Sequence, residues 1–254
     1  MAGKLRPAQK QKPNEQGMVT NEPTDIALVQ LPLASPWRPP IWLGCLQAYL
    51  VQSGISSKPM DLSVGAYHDA PAPLRWPWLK DRPDGTWEHS LDAGIIGAFS
   101  AVIDAHVQLL FETPASVLGF HLSNLSTQWT FEVIRRLRDR GDRRPVLLGG
   151  PATWTRANWP EMPWNLVDYL VVGEGEQTLV TLIRRLLAGR PTFSIPGVVC
   201  PPGHPERYRP QPPLKTLDLL PIPDFHHLPL DLYLERSIPI YGSRGCMHRC
   251  AFCS

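Results

Sequence analysis

Three cysteines crowd into the last nine residues, and their spacing predicts a metal–sulfur site. They are Cys246, Cys250 and Cys253, in the pattern C-x3-C-x2-C. Thiolate sulfur is the ligand of iron–sulfur clusters, and three thiolates on one loop can hold three irons of a four-iron cluster. The fourth iron then keeps an open position for a substrate or cofactor. The alternative is structural zinc, which takes four ligands; His248 inside the loop would close a strained tetrahedron.

Small and polar residues follow four apolar runs that are predicted to be strands. These stretches are residues 32–35, 121–124, 149–153 and 173–176. Because parallel strands present their carboxyl ends at one edge of a sheet, the four stretches predict a ligand site at that edge. Glycines there allow a bulky ligand to approach the backbone closely. The alternative is that these residues only turn the chain.

The elements that position these residues alternate between strand and helix from about residue 25. Strands are predicted at residues 26–31, 57–62, 116–121, 145–148 and 168–172, and helices at 41–53, 91–111, 127–140 and 177–187. The stretch 64–90, rich in proline and tryptophan, is predicted to be a loop or insertion. This order predicts an α/β fold with a doubly wound parallel sheet covered by helices.

Composition divides the chain into four segments. Residues 1–24 are a predicted disordered tail, and residues 25–190 carry the alternating pattern. Residues 191–236 are rich in proline and predict a linker, with one hairpin around 197–200. Residues 237–242 resemble a new strand that leads into the cysteines. Residues 237–254 would therefore begin a second domain.

The cysteine segment resembles the cluster motif of the radical S-adenosylmethionine superfamily. Ser243-Arg244-Gly245-Cys246 precedes the loop, and the aromatic Phe252 stands before the third cysteine. The resemblance implies a 4Fe-4S cluster whose open iron binds the amino and carboxylate groups of S-adenosylmethionine. Reductive cleavage of that cofactor would give a 5′-deoxyadenosyl radical. It also implies an electron donor such as flavodoxin or ferredoxin.

The preceding residues are similar to the cobalamin-binding domain of one class of these enzymes. The similarity rests on Val-Leu-Gly-Phe-His-Leu-Ser, Leu-Leu-Gly-Gly-Pro, Asp-Tyr-Leu-Val-Val-Gly-Glu-Gly-Glu and the linker Leu-Asp-Leu-Leu-Pro-Ile-Pro-Asp, and it covers roughly residues 25–254. It implies a Rossmann-like sheet of the cobalamin-binding type, a linker, and the first strand and cluster loop of a radical barrel. Methylation of an unreactive carbon is the reaction most often implied. The substrate, a small molecule or a peptide, is not identified.

The resemblance also implies roles for ten residues. Gly149, Gly150, Pro151 and Thr153 would lie along the nucleotide tail of cobalamin; Gly173, Glu174, Gly175 and Glu176 would shape the adjoining edge; Ser123 and Asn124 would face the corrin ring. Some relatives keep this fold without binding cobalamin. A cobalt-ligating D-x-H-x-x-G motif is lacking, because its nearest match, 104–109, has no glycine. His106 is therefore predicted to be a helix-surface residue, and the lower axial ligand of cobalt stays unassigned.

Other readings remain open at this point. The sequence stops before a barrel, so we expect the amino-terminal part of a longer enzyme, inactive alone; a natural truncation or a non-catalytic cobalamin or ligand carrier is the alternative. Dinucleotide binding is disfavoured, because Thr178 replaces the last glycine of G-x-G-x-x-G. Cys45 and Cys200 are interpreted as small buried apolar residues.

Charge and hydropathy exclude several partners. The net charge is +2, and the arginine-rich run 135–140 contains an acidic residue, which favours a solvated helix face over an RNA-binding patch. The chain has no apolar stretch of about 18 residues and no secretory signal at its start. Five cysteines, three of them clustered, favour reduced thiols over disulfides. We therefore expect a cytoplasmic protein that binds neither nucleic acid nor membranes.

Overall fold

The computed structural model describes residues 22–75, 78, 93–203, 208–245 and 248. Within them, one six-stranded sheet is covered by helices on both faces. The strands are β1 (Thr24–Gln30), β2 (Ser57–Asp61), β3 (Ala115–His121), β4 (Val146–Gly149), β5 (Tyr169–Val171) and β6 (Val198–Val199). The α-helices are α1 (Ile41–Gln52), α2 (Leu62–Asp69), α3 (Ala93–Ala98), α4 (Ser100–Glu112), α5 (Thr127–Asp139) and α6 (Gly175–Leu187). An α/β fold with a mostly parallel sheet is therefore confirmed.

The strand order is β2-β1-β3-β4-β5-β6, and every neighbouring pair is parallel except β5 with β6. The first five strands have the order of the flavodoxin-like doubly wound sheets, in which the strand order reverses between β1 and β3. Loops from these two strands leave toward opposite faces, which opens a crevice at their carboxyl ends. That crevice is where a ligand site is expected in this topology.

Alternating side chains along the strands build two apolar cores, one on each face. On one face, Ile26 and Leu28 of β1 pack beneath α1 and α6. On the other face, Ala27 and Val29 pack beneath α4 and α5. The strands are buried on both sides, which explains why they appear in the sequence as continuous apolar runs.

The predicted helix at 91–111 is interrupted in the structure. Phe99 adopts φ −105° and ψ 17°, so α3 ends at Ala98 and α4 begins at Ser100. The Phe99 carbonyl accepts from the Ile103 amide, and its buried ring packs against Trp78 and Trp129. Burial of this ring accompanies the break in the helix. Residues 91 and 92 of the prediction lie outside the described residues.

The prediction of a loop over 64–90 was wrong at its beginning. Residues 62–69 form α2, because the Asp61 carboxylate caps its first turn by accepting from the amides of Ser63 and Val64 at 2.9 and 3.4 Å. Aspartate at this position is a strong helix-start signal. Apart from Trp78, residues 76–92 lie outside the described residues.

Two strand predictions near the end of the chain also need correction. The predicted hairpin at 197–200 is instead the short strand β6, which pairs with β5. The predicted strand at 237–242 was wrong, because the structure has no strand there and most of its side chains are exposed to solvent. No neighbouring strand pairs with this segment among the described residues.

The linker segment (residues 191–236) contributes side chains to the core of the domain. Phe225, Leu228 and Tyr233 are buried in the core beneath α1 and α6. The Tyr233 hydroxyl donates to Asp61 Oδ2 at 2.6 Å, and burial raises the pKa of Asp61 to about 6. The predicted tail, 1–24, lies outside the described residues up to residue 21, and β1 begins at Thr24.

The contact between the linker segment and α1 centres on Gly44. The Asp224 amide donates to the Gly44 carbonyl at 2.9 Å, and a Cβ on Gly44 would lie 2.6 Å from Cε1 of Phe225. Overpacking in Gly44→Ala should lower the free energy of unfolding by about 1–3 kcal/mol. The higher helix propensity of alanine returns about 1 kcal/mol, so we expect a net loss of up to about 2 kcal/mol. Urea unfolding measures the change.

Gly65 provides the control for this prediction. It lies in α2, and nothing stands within 4 Å of a Cβ placed on it. Gly65→Ala should therefore unfold at the same or higher urea concentration than the wild type. Adding Phe225→Leu to Gly44→Ala should recover part of the loss. A Gly44→Ala protein more stable than wild type would contradict the packing described here.

The arginines of α5 are paired with carboxylates. Arg135 contacts Glu132 and Asp139, and Arg136 contacts Glu132 and Asp104. These ion pairs hold the pKa of Glu132 near 2, chiefly through its hydrogen bond with Arg135. Among the described helices, none has the length and apolar character needed to cross a membrane.

Candidate functional site

A cavity of about 720 Å³ lies at the carboxyl ends of the parallel strands, on the face covered by α1 and α6. Its volume is in the range of sites that enclose small ligands and cofactors. The strands supply an apolar floor, α1 and the start of α6 supply two walls, and residues 241–245 contribute a third. The lining residues used below are Leu28, Trp42, Cys45, Leu46, Gly119, His121, Leu147, Gly149, Gly150, Gly175, Glu176 and Arg244.

A glycine at the end of β4 leaves part of the cavity floor open, whereas a Cβ on Gly119 of β3 would already lie 3.1 Å from Ile26 Cδ1. Gly119 and Gly149 occupy positions on β3 and β4 where the alternation of side chains would otherwise direct a group toward α1. A Cβ on Gly149 would meet only Val171 atoms, at 3.7 Å or more. The space above Gly149 is therefore cavity and not protein.

Gly150 brings the loop after β4 close to β3. Its φ is +103°, a conformation that L side chains rarely adopt, and a Cβ there would lie 2.8 Å from both the His121 ring and the Leu122 carbonyl. Glycine is therefore required for this close approach. The loop then begins a short 3-10 turn, Pro151–Thr153, along the cavity edge.

A stacked aromatic pair forms part of the wall. The Trp42 and His121 rings lie 4.9 Å apart and 14° from parallel, and Trp42 Nε1 donates to Gln30 Oε1 at 2.9 Å. Burial lowers the pKa of His121 to about 4, so its imidazole is neutral at physiological pH. His121 Nδ1 has no hydrogen-bond partner among the described residues. The pair presents a flat, uncharged surface beside the floor.

Two carboxylates stand at the first turn of α6, and each has a partner. Glu174 Oε2 accepts from the Leu214 amide at 2.8 Å. Glu176, which is buried, accepts from Arg244 Nη2 at 2.5 Å. Because carboxylates are favourable near the positive end of a helix dipole, this placement suits α6 as well.

Cys45 belongs to the cavity wall, contrary to its interpretation as a buried apolar residue. It is half-buried on α1 beside Arg244 and Glu176. Burial raises the pKa of its thiol, and Arg244 opposes that rise. Cys200 is also half-buried and packs against the core beneath α1 and α6.

The structure places seven of the predicted site residues along the cavity: Gly149, Gly150, Pro151, Gly173, Glu174, Gly175 and Glu176. Thr153 is fully buried, and its hydroxyl donates to the carbonyls of Gly150 and Val171. Ser123 and Asn124 are outside the lining. The Ser123 hydroxyl bonds with Ser126 at the start of α5, and Asn124 is exposed.

Sequence reasoning missed the wall formed by α1. Ile41, Trp42, Cys45 and Leu46 line the cavity, and their spacing of i, i+1, i+4 and i+5 places them on one face of a helix. This spacing was the available signal. Trp154 and Tyr241 also line the cavity, and their sequence surroundings carry no comparable periodicity.

Cys246, Cys250 and Cys253 lie outside the described residues, but the segment before them does not. Tyr241, Ser243, Arg244 and Gly245 line the cavity. Cys246 follows Gly245 directly in the sequence. In the described part of the chain, no group of three or more metal-ligating side chains is assembled.

His106 is not the surface residue that the sequence predicted. It is buried in α4, with its ring 6.1 Å from that of Trp129. Burial lowers its pKa to about 4. It lies in the core beneath α4 and α5, on the face of the sheet opposite the cavity.

Comparison with known proteins finds a curated relative that matches only part of the chain. No family model matches the chain. An uncharacterized methyltransferase of Pyrococcus horikoshii is 36% identical over 117 residues, which is 43% of this chain and 25% of that protein. The chain thus spans about a quarter of the length of this curated relative.

One solved structure has the same fold at low sequence identity, and a second superposes less well. The cobalamin-dependent S-adenosylmethionine radical enzyme OxsB, with aqua-cobalamin and S-adenosylmethionine bound, superposes with a TM-score of 0.54 at 15% identity, over 80% of this chain and 24% of OxsB. The radical S-adenosylmethionine methyltransferase TsrM from Kitasatospora setae gives 0.46 at 19% identity, over 73% of this chain and 30% of TsrM. The likeness to OxsB is a likeness of fold: a mostly parallel α/β sheet flanked by helices.

Proposed function

We propose that this chain is the amino-terminal part of a cobalamin-dependent radical S-adenosylmethionine enzyme that transfers methyl groups, most simply to an unreactive carbon. The similarity to an uncharacterized methyltransferase and the shared fold with OxsB support the proposal. So does the C-x3-C-x2-C spacing of Cys246, Cys250 and Cys253. The substrate would be set by residues beyond those described here.

One observation carries the proposal: the segment leading into the cysteines forms a wall of the large cavity. Arg244 and Gly245 line it, and Cys246 follows directly. A cluster held by Cys246, Cys250 and Cys253 would therefore stand beside whatever the cavity holds. Two cofactors that act on one substrate need such proximity.

The residues of the cavity fit the nucleotide tail of cobalamin. The tail ends in a flat, largely apolar ring system, and the cavity offers a flat aromatic wall, open space above Gly149, and apolar surface from Leu28 and Leu147. His121, being neutral, would not repel it. Its unpartnered Nδ1 is a buried polar atom of the kind that a ligand can satisfy.

The three cysteines fit a four-iron cluster by the number and type of their donor atoms. Three thiolates match three irons and leave one iron site free, as the bound sulfonium cofactor requires. When loaded, the two cofactors would supply radical generation and methyl donation. The chain itself would bind the tail between α1 and α6, exclude water with the Trp42–His121 pair, and hold the cluster loop at the cavity through Arg244.

A second reading keeps the radical chemistry without cobalamin, and a third treats the chain as a ligand carrier. Anaerobic reconstitution of the full-length protein with iron, sulfide and hydroxocobalamin separates them. We expect about four irons per chain and a corrin absorbance that survives gel filtration. Iron retained with cobalamin washed away would indicate a radical enzyme with a vestigial front domain. Cobalamin retained without iron would indicate a carrier.

A further inference from the structure

We propose that the ion pair between Glu176 and Arg244 positions the segment 241–245, which leads into the cysteines, against the cavity. The inference rests on the proposed function, because it assigns a task to the segment before Cys246. Arg244 Nη2 donates to Glu176 Oε1 at 2.5 Å, across 68 residues of sequence. The side chains are 18% and 5% exposed, so the pair is largely shielded from water.

The location of the pair connects two parts of the molecule. Glu176 is fixed in the first turn of α6, whose apolar side chains are held in the core. Arg244 is on an irregular segment whose neighbours Tyr241 and Ser243 are exposed. Arg244 therefore acts as the anchor that connects this segment to a rigid helix.

The pair also stands between two cavities. Cys45, Glu176, Tyr241 and Arg244 line both the 720 Å³ cavity and a smaller one of about 180 Å³ bounded by the linker segment. The Arg244 guanidinium lies over the Tyr241 ring, 5.8 Å from its centroid. Releasing Arg244 would remove a partition and free the wall that precedes Cys246.

Arg244 is close in the sequence to the first of the three cysteines. Cys246 is only two residues beyond Arg244 in the sequence, so a change at Arg244 acts on the segment that leads into it. A shielded ion pair is costly to assemble, and one use of such pairs is to specify a particular geometry. The exposed pair of Arg38 with Glu235, side chains 55% and 39% exposed, contacts the linker segment without reaching the cavity. It provides a matched control.

Glu176→Gln in the full chain tests the proposal. Amide hydrogen exchange of iron-free protein should be about tenfold faster in peptides covering residues 238–248, because a charge-assisted bond is lost there. Peptides from β1 and β3 should be unchanged, and Arg38→Gln should leave residues 238–248 unchanged. Unaltered exchange of residues 238–248 in Glu176→Gln would overturn the proposal.

A second readout uses the loaded protein. Paramagnetic cobalamin should speed the spin relaxation of the reduced cluster in the wild type, and Glu176→Gln should weaken that effect while the iron content stays the same. Equal effects in both proteins would overturn the positioning role. Loss of iron or corrin from the wild type would instead overturn the proposed function, so the two failures are distinguishable.

Arg244→Gln removes the same ion pair from its other side and tests the proposal independently of whether Glu176→Gln folds. Arg244 lies outside both apolar cores, so its replacement should leave the sheet intact and speed exchange of residues 238–248 as Glu176→Gln does. Arg244→Lys keeps the charge and should restore part of the protection. Exchange in Arg244→Lys as fast as in Arg244→Gln would show that the positive charge at position 244 does not hold the segment.

Discussion

A Cys246→Ala protein, reconstituted with iron and sulfide without oxygen, should retain less than about one iron per chain where the wild type retains about four. The physical reason is that a cluster with one open iron has three protein ligands and no spare. Cys250→Ala and Cys253→Ala should have the same effect. Iron and sulfide analysis with the visible absorbance of the cluster measures it.

Cys200→Ala provides the control for the cluster prediction. Cys200 is a half-buried cysteine that packs against the core beneath α1 and α6, far from the cluster segment in the sequence. Its replacement should leave the iron content at the wild-type level, which separates loss of a ligand from a general effect of removing a thiol. Uptake of zinc in place of iron, or unchanged iron in Cys246→Ala, would contradict the assignment.

Gly149→Leu should weaken hydroxocobalamin binding by about 5- to 140-fold while leaving the fold intact. The new side chain would project from the end of β4 into the cavity, where only Val171 atoms lie within 4 Å of its Cβ. Competition for that space costs about 1–3 kcal/mol, and each 1.4 kcal/mol is a tenfold change in affinity. Absorbance titration of the reconstituted protein measures the dissociation constant.

Gly65→Leu is the matched control for the cavity prediction. Gly65 lies in α2 with open space around it, and it does not line the cavity. Its replacement should leave hydroxocobalamin affinity unchanged. Wild-type affinity in Gly149→Leu, with unaltered urea unfolding, would place the cofactor somewhere other than this cavity.

The sequence predicted the sheet well because its strands are buried on both faces. Continuous apolar runs such as those of β1 and β3 have few alternative structures in a chain that alternates with helices. The signal failed where a local contact decided the structure. In α2 the carboxylate of Asp61 starts a helix with weak apolar periodicity, and at Phe99 burial of one ring accompanies an interruption of a helical pattern.

In the candidate site, too, the sequence predicted the residues that follow strands and missed those that are positioned by tertiary contacts. Residues at or shortly after strand ends, such as Gly149 at the end of β4 and Glu176 in the first turn of α6, could be predicted, because parallel topology brings carboxyl ends together. The ion pair of Glu176 with Arg244 could not, because 68 residues separate its members and spacing says nothing about tertiary contacts. The location of Ser123 outside the cavity lining could not be predicted either, because it follows from a hydrogen bond between the hydroxyls of Ser123 and Ser126 at the start of α5.

The short strand β6 covers the edge of β5 that would otherwise be open. Leu170 and Val171 of β5 pair with β6, and the Val172 amide donates to the Gly197 carbonyl at 2.8 Å. An uncovered strand edge is a template for pairing with other chains. A polypeptide ended at residue 190 would bare that edge and the apolar surface beneath Phe225 together. A fragment that keeps both the edge of β5 and this apolar surface covered therefore has to extend through Tyr233.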